Sequence, residues 1–311
     1  MQWIKKGLIF TPDKRFYWME SHAQLPTVDY IGGEIYRVYF ASRDKHQKSH
    51  IGYIELDITC PTKILNLSQE PVLEPGPIGF FDEHGVYPSS IVSADGKKYL
   101  YYIGWNKGAE PPLFYASIGL SISEDGGRTF YKYSKAPIMA RSEYDPCLVT
   151  SPFVMIENGR WKMWYTSGIR WEVIDEIPQS YYHIKYAESK DGINWIRKGT
   201  IAIDFKTEKE KNIARPCVLK ENSLYKMWYS YNQGLGYRIG YAESKDGITW
   251  IRKDKEAGIT ISDSGWDSEV IAYPYVFRHK DKKYMLYNGN KFGKEGFGLA
   301  VEGKKNENRN I

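Results

Sequence analysis

PFVMIENGRWKMWYTS, residues 152–167, reads as a proline, an alternating apolar strand, a polar turn containing Gly and a second strand rich in Trp and Tyr. The pattern recurs from Pro26 (PTVDYIGGEIYRVYFAS), Pro88 (PSSIVSADGKKYLYYIG), Pro216 (PCVLKENSLYKMWYSY) and Pro274 (PYVFRHKDKKYMLYNG). Successive prolines stand 62, 64, 64 and 58 residues apart, so each copy is long enough for four strands and their turns. A third strand follows each hairpin: HIGYIELD, SIGLSIS, HIKYAES, RIGYAES and FGLAVEG. In three copies it runs into a Ser-x-Asp-Gly turn and an aromatic: Ser123 to Phe130, Ser189 to Trp195 and Ser244 to Trp250. Asp-Gly between alternating strands predicts a hairpin, because Gly accepts the positive φ of a tight turn. These turns read as structural, capped by a packed aromatic.

The fifth copy stops after its third strand. Trp3-Ile4-Lys5-Lys6-Gly7 resembles Trp195-Ile196-Arg197-Lys198-Gly199 and Trp250-Ile251-Arg252-Lys253, the expected outer strands of copies three and four. The N-terminal strand is therefore expected to complete the last copy and cover its open edge. The expected fold is all-β, a five-bladed β-propeller with four antiparallel strands per blade, forming a single domain over residues 1–302. Residues 303–311 are expected to be a basic flexible tail.

Composition excludes several classes of protein. A 42% hydrophobic fraction suffices for a core, and +5 net charge spread along 311 residues gives no footprint for nucleic acid. Three cysteines without CxxC spacing, Cys60, Cys147 and Cys217, imply neither a disulfide framework nor a zinc site. The N-terminus has no apolar stretch of a targeting or membrane segment. A soluble, cytoplasmic protein without cofactor, metal or membrane association is the expectation, and the oligomeric state is left open.

The stretches ARPCVL, YRIGYAESKDGITW, WDSEVIAYPYVF and YMLYNGNKFGKEGFGLAV resemble five-bladed propellers of glycoside hydrolase families 43, 32, 68 and 130 and their relatives, over nearly the whole chain. The resemblance implies a sugar site in a central funnel, with carboxylates carried by the inner strands. Residues just before each repeat proline should approach it: His22 and Gln24; Asp82, Glu83, His84 and Tyr87; Asp145 and Ser151; Asn212 and Arg215; Asp267, Glu269 and Tyr273. Carboxylates accept sugar hydroxyls, and aromatic faces cover the apolar side of a ring. The ends of second strands add Arg43, Trp105, Arg170, Asn232 and Asn288.

Glycoside cleavage needs an acid and a second carboxylate. Glu83 and Glu269, each five residues before its proline and beside an Asp and an aromatic residue, are the expected catalytic pair, with Asp82 and Asp145 next. Asp145, in Tyr144-Asp145-Pro146, resembles the superfamily's Asp-Pro motif. Where families 43 and 32 place an Asp directly before the first proline, this chain has Leu25. Three readings stay open: a glycoside hydrolase or transglycosidase acting on a small glycan or glycoconjugate, a non-catalytic sugar-binding propeller, and a propeller enzyme for phosphorylated, carboxylated or nucleotide-linked sugars. The first should bring two carboxyls to roughly 5–10 Å.

Overall fold

Strands pair with their neighbours in chain order, and this orders the fold. The computed structural model describes residues 1–303, so the expected tail lies outside the described residues except for Gly303. Described elements are almost wholly β, with a four-residue helical turn at Asn290–Gly293 and a 3₁₀ turn at Asp254–Glu256. The first strand, β1 (Trp3–Phe10), is followed by β2 (Ser21–Gly32), β3 (Ile35–Arg43), β4 (Ser49–Asp57) and β5 (Ile64–Leu67), which pair in sequence, antiparallel. The next group is β6 (Gly85–Ala94), β7 (Lys97–Lys107), β8 (Phe114–Ser123) and β9 (Tyr131–Lys132). A third is β10 (Leu148–Glu157), β11 (Arg160–Ile174), β12 (Ile177–Ser189) and β13 (Trp195–Ile203). A fourth is β14 (Asn212–Glu221), β15 (Leu224–Asn232), β16 (Tyr237–Ser244) and β17 (Ile251–Arg252).

The last group, β18 (Ala272–His279), β19 (Lys282–Asn288) and β20 (Phe297–Glu302), takes its fourth strand from the chain's start. β1 pairs antiparallel with β20, Trp3 facing Glu302 and Lys5 facing Ala300. The first strands of the five groups neighbour one another in cyclic order, β2 to β6, β10, β14 and β18, and β18 returns to β2. β14 is buried along six consecutive residues, as expected of a strand covered on both faces. β13 alternates with solvent.

A buried acid ties three parts of a group together. Asp82 accepts from Tyr102 Oη at 3.1 Å and Lys132 Nζ at 2.6 Å. Asp145 accepts from Tyr165 Oη at 3.1 Å, Ser167 Oγ at 2.6 Å and an Arg197 amino group at 2.9 Å. Asp267 accepts from Tyr287 Oη at 2.9 Å and Lys5 Nζ at 2.7 Å. In each, the tyrosine lies 20 residues after the acid on the second strand and the cation comes from the outer strand. The fourth group rearranges the same chemistry around Arg252, Glu210 and Asp254. The first fills the place with Trp18 against Phe40.

Neighbouring groups are tied by aromatic donors. Tyr39 Oη donates to the Gly127 carbonyl, Tyr101 Oη to Gly192 and Trp164 Nε1 to Gly247, all at 2.7 Å. Each acceptor is in the Ser-x-Asp-Gly turn of the next group, which is the structural role expected of those turns. Gly127 takes φ +86°, and a Cβ there would stand 2.3 Å from the Tyr39 hydroxyl.

Every first strand is bulged at its proline. Leu25, Ser151, Arg215 and Tyr273, each preceding a repeat proline, have φ of 54°, 47°, 55° and 57°. Proline disfavours the right-handed helical region for the residue before it, and a left-handed non-glycine residue costs about 1–3 kcal/mol, so the surroundings must hold it there. The second group differs. Pro88 faces Tyr102 and Ser90 faces Tyr101, leaving Ser89 as the extra residue. Pro88 thus takes the place that Ser151 and Arg215 have elsewhere, and Ser89 that of the other prolines. The repeat alignment drawn on Pro88 is one residue out, and Tyr87 pairs in ordinary register with Ile103.

Deleting residues 1–10 removes the last group's fourth strand and the cation of Asp267, so cooperative loss of stability is expected in thermal unfolding. Lys5→Met alone should cost about 2–4 kcal/mol by leaving a buried carboxylate unpaired. An unchanged denaturant midpoint would show that the closure carries no load.

Candidate functional site

The bulged ends of the first strands converge on Arg215, a fully buried guanidinium. It donates to the Ser89 carbonyl at 2.9 Å, Ser89 Oγ at 2.7 Å, Thr27 Oγ1 at 2.9 Å and the Pro88 and Pro26 carbonyls at 3.3 Å. Among the described residues it has no carboxylate partner. Burial lowers its pKa to about 10. Arg215 was expected to bind substrate; instead its donors are spent on the first strands of two other groups.

The face bearing the proline-proximal residues carries an aromatic lining. Buried Leu25, Ile103, Ala116 and Leu148 pack with half-buried Tyr87, Trp105, Phe114, Trp171 and Tyr273. Tyr273 anchors its strained backbone by donating its N–H to Ser230 Oγ at 2.7 Å, and its ring lies 6.4 Å from Phe292 and 6.0 Å from Tyr237. Tyr237 and Tyr182 share a hydrogen bond between their hydroxyls. His84 packs 5.8 Å from Trp105, whose Nε1 reaches Ser49 Oγ at 3.4 Å. Ser151 is buried beside these residues in its left-handed turn.

The same face is electropositive on the side of the first group. Burial, followed by Arg43 and Lys294, lowers His22 to about pH 4, so its imidazole is neutral at physiological pH. Its Nδ1 lies 2.9 Å from Ser21 Oγ. Arg43 has no ion pair among the described residues, and its Nε is buried without a partner. Gln24 donates to the Phe292 carbonyl at 2.8 Å and leaves its side-chain oxygen unsatisfied.

Glu83 is held in place. The Gly79 N–H donates to its carboxylate and, with the nearby Asn106 side chain, keeps it below the usual range; Asn106 itself donates to the Phe80 carbonyl at 2.9 Å, and His84 Nδ1 lies 3.2 Å from Glu83. Desolvation pushes the Glu83 carboxyl the other way, and the backbone donor wins. Glu269 is exposed, and only its backbone is engaged, with its N–H donating to Asn290 Oδ1 at 2.8 Å. The matched offset of the two glutamates dissolves with the corrected register: counted from the equivalent buried acids Asp82 and Asp267, Glu83 corresponds to Ser268 and Glu269 to His84.

Several expected site residues have internal work. Asp82 and Asp145 are wholly buried in the acid, tyrosine and cation ties, out of reach of a substrate. Asn288, also buried, accepts from the Leu25 N–H at 2.9 Å and donates to the Ala23 and Gly296 carbonyls at 2.8 and 2.9 Å, fastening the first group to the fifth. Asn232 accepts from the Gly234 N–H at 2.8 Å, closing a turn. Arg170 lies 3.9 Å over the Tyr181 ring and donates to Glu172 at 2.6 Å. Sequence reading did not rank Phe114, Tyr182, Tyr237 or Phe292; for Phe114 and Tyr237, which open third strands, that position was the available signal. Among the described residues no three His, Cys, Asp or Glu side chains gather as a metal site. Among those residues, no helix is long and apolar enough to cross a membrane.

Solved structures share this fold. The chain superposes on a structure described as "Glycoside hydrolase" with a TM-score of 0.73 at 17% identity, covering 97% of this chain and 92% of that one. It also matches a structure described under "The GH130 family of mannoside phosphorylases contains glycoside hydrolases that target beta-1,2 mannosidic linkages in Candida mannan", with a TM-score of 0.70 at 15% identity over 96% of this chain and 93% of that one. At such identities the likeness is one of fold, the all-β fold of glycoside hydrolase neighbours. No family profile matches the chain. In sequence it is 41% identical over 302 residues to "Uncharacterized protein MT1551" of Mycobacterium tuberculosis (strain CDC 1551 / Oshkosh), covering 97% of this chain and 99% of that protein, and it belongs to the same family. It is also 28% identical over 164 residues to "1,2-beta-oligomannan phosphorylase" of Thermoanaerobacter sp. (strain X514), covering 48% and 52%.

Two outcomes are expected. Asp145→Asn should lower stability by about 2–4 kcal/mol in urea unfolding, because Arg197 loses its buried counter-ion. His22 binds its proton more weakly folded than unfolded, so stability should fall as pH drops from 6.5 towards 4. The loss should be about 1–2 kcal/mol after solvent screening, and absent in His22→Gln. Equal pH dependence in the two proteins would show that His22 titrates normally.

Proposed function

We propose that the chain is a single-domain, five-bladed β-propeller over residues 1–302 and a carbohydrate-active enzyme, a glycoside hydrolase or transglycosidase working on a small glycan at the aromatic mouth. The observation that carries this reading is the grouping of Tyr87, Trp105, Trp171 and Tyr273 around the strained first-strand ends, with polar residues at the rim. Aromatic faces with few polar donors are what a sugar ring needs. The glycoside hydrolase fold neighbours and the partial likeness to an oligomannan phosphorylase support the same class. Three free cysteines suit a reducing compartment, the cytoplasm.

In this reading Glu83 is the ionised carboxylate, base or nucleophile, because its donors favour the charged form. Glu269, exposed on the corresponding loop of the fifth group, is the proposed acid. Substrate contacts fall to His22, Gln24, Arg43, His84, Tyr87, Trp105, Ser151 and Tyr273, with Arg170 at the edge.

A second reading has its own observation. The unpaired Arg43 beside neutral His22 and Lys294 favours an anion, either a phosphate or carboxylate on the sugar or free phosphate as acceptor.

The test is turnover of β-1,2-linked manno-oligosaccharides and a nitrophenyl glycoside panel, with and without inorganic phosphate. Glu83→Gln and Glu269→Gln should each keep sugar binding and lose about 10²–10⁴-fold in rate. Near-full activity in both would remove the pair. Sugar binding without turnover of any substrate would make the protein a binding module, and strict phosphate dependence lost in Arg43→Met would select the second reading.

A further inference from the structure

A cleft of about 650 Å³ opens between the second and third groups, its walls including Phe80, Asn106, Tyr115, Ser117, Arg141 and Cys147. That is within the usual range for small-molecule sites. Three features connect it to the aromatic mouth and to sugar chemistry. Gly79 and Asn106 both line the cleft, and the Gly79 N–H donates to the Glu83 carboxylate, so the cleft abuts the proposed catalytic residue. Ala116 lines the cleft and also packs in the cluster of Leu25, Trp105 and Tyr273, so the two spaces share a wall. Arg141 lies 5.4 Å over the ring of exposed Tyr115 and makes no ion pair among the described residues. An aromatic face beside a free guanidinium, an amide and a hydroxyl offers both the stacking surface and the donors that a pyranose uses.

We propose that this cleft is a second sugar subsite: it holds the unit next to the one at the mouth, beside Glu83, stacked on Tyr115 and hydrogen-bonded by Arg141 and Ser117. The proposal rests on the carbohydrate reading above and adds a place for the substrate chain. It implies that the protein works on oligosaccharides rather than on single sugars, with one unit at the mouth and the next in the cleft.

Cys147 supplies the readout, because its thiol lines the cleft while Cys60 is exposed and Cys217 buried. The rate of iodoacetamide labelling at each cysteine is measured by mass spectrometry at alkaline pH, with mannose, β-1,2-mannobiose or β-1,2-mannotetraose present. Tryptophan fluorescence in the same samples reports occupancy of the mouth through Trp105 and Trp171. Biose and tetraose are expected to slow labelling of Cys147 about tenfold at tenfold excess over Kd, leaving Cys60 unaffected. Mannose should change fluorescence without protecting Cys147. Arg141→Ala, an exposed substitution, should weaken tetraose and leave mannose unchanged. A fluorescence response to tetraose with Cys147 labelled as fast as in the free protein would overturn the subsite and leave the carbohydrate reading standing. Silence of both signals across the series would remove the carbohydrate reading, and the subsite with it.

Discussion

The five first strands meet where their bulges turn backbone carbonyls out of the sheet ladders and towards one another, and those carbonyls need donors in a place water does not reach. Arg215 meets that constraint. Its planar fork gathers carbonyls and hydroxyls from the first two groups while its own backbone belongs to the fourth. A buried arginine without a carboxylate is costly unless its donors are filled; here oxygen dipoles fill them. Arg215 itself and Leu25, which precedes the Pro26 carbonyl that Arg215 binds, both take left-handed conformations at this junction.

Around that centre the groups are stiffened in the same way with different residues. A carboxylate, a tyrosine hydroxyl and an outer-strand cation tie loop, second strand and fourth strand together in three groups, and the fifth obtains its cation only because β1 joins it. Aromatic donors to turn carbonyls then connect the groups. Rigidity supplied from within the sheets leaves the loops and strand ends on one face free to vary, which is where sites on β scaffolds usually arise.

That face has a polarity of its own. Glu83 is kept ionised by a backbone donor on one side, while burial, with Arg43 and Lys294, keeps His22 neutral on another. Aromatic rings lie between them.

Sequence periodicity alone determined the repeat, the strand order within each copy and the joining of Trp3–Phe10 to the last group, because alternation, turn chemistry and the missing outer strand are local properties of the chain. It also named three residues of the aromatic cluster, Tyr87, Trp105 and Tyr273, because the ends of the first and second strands are legible in the repeat. Which acids remain free was decided only by tertiary structure. Asp82, Asp145 and Asn288 look like site residues in the sequence, yet each is consumed by partners 20 or more residues away. The apparent symmetry of Glu83 and Glu269 failed for a related reason: a proline marks a bulge, but the bulge can hold it in either of two positions, and only pairing with the second strand shows that Pro88 took the first. Hydrophobic period sets which face of a strand is buried, whereas the destination of a buried charge depends on which distant group the closed arrangement brings against it.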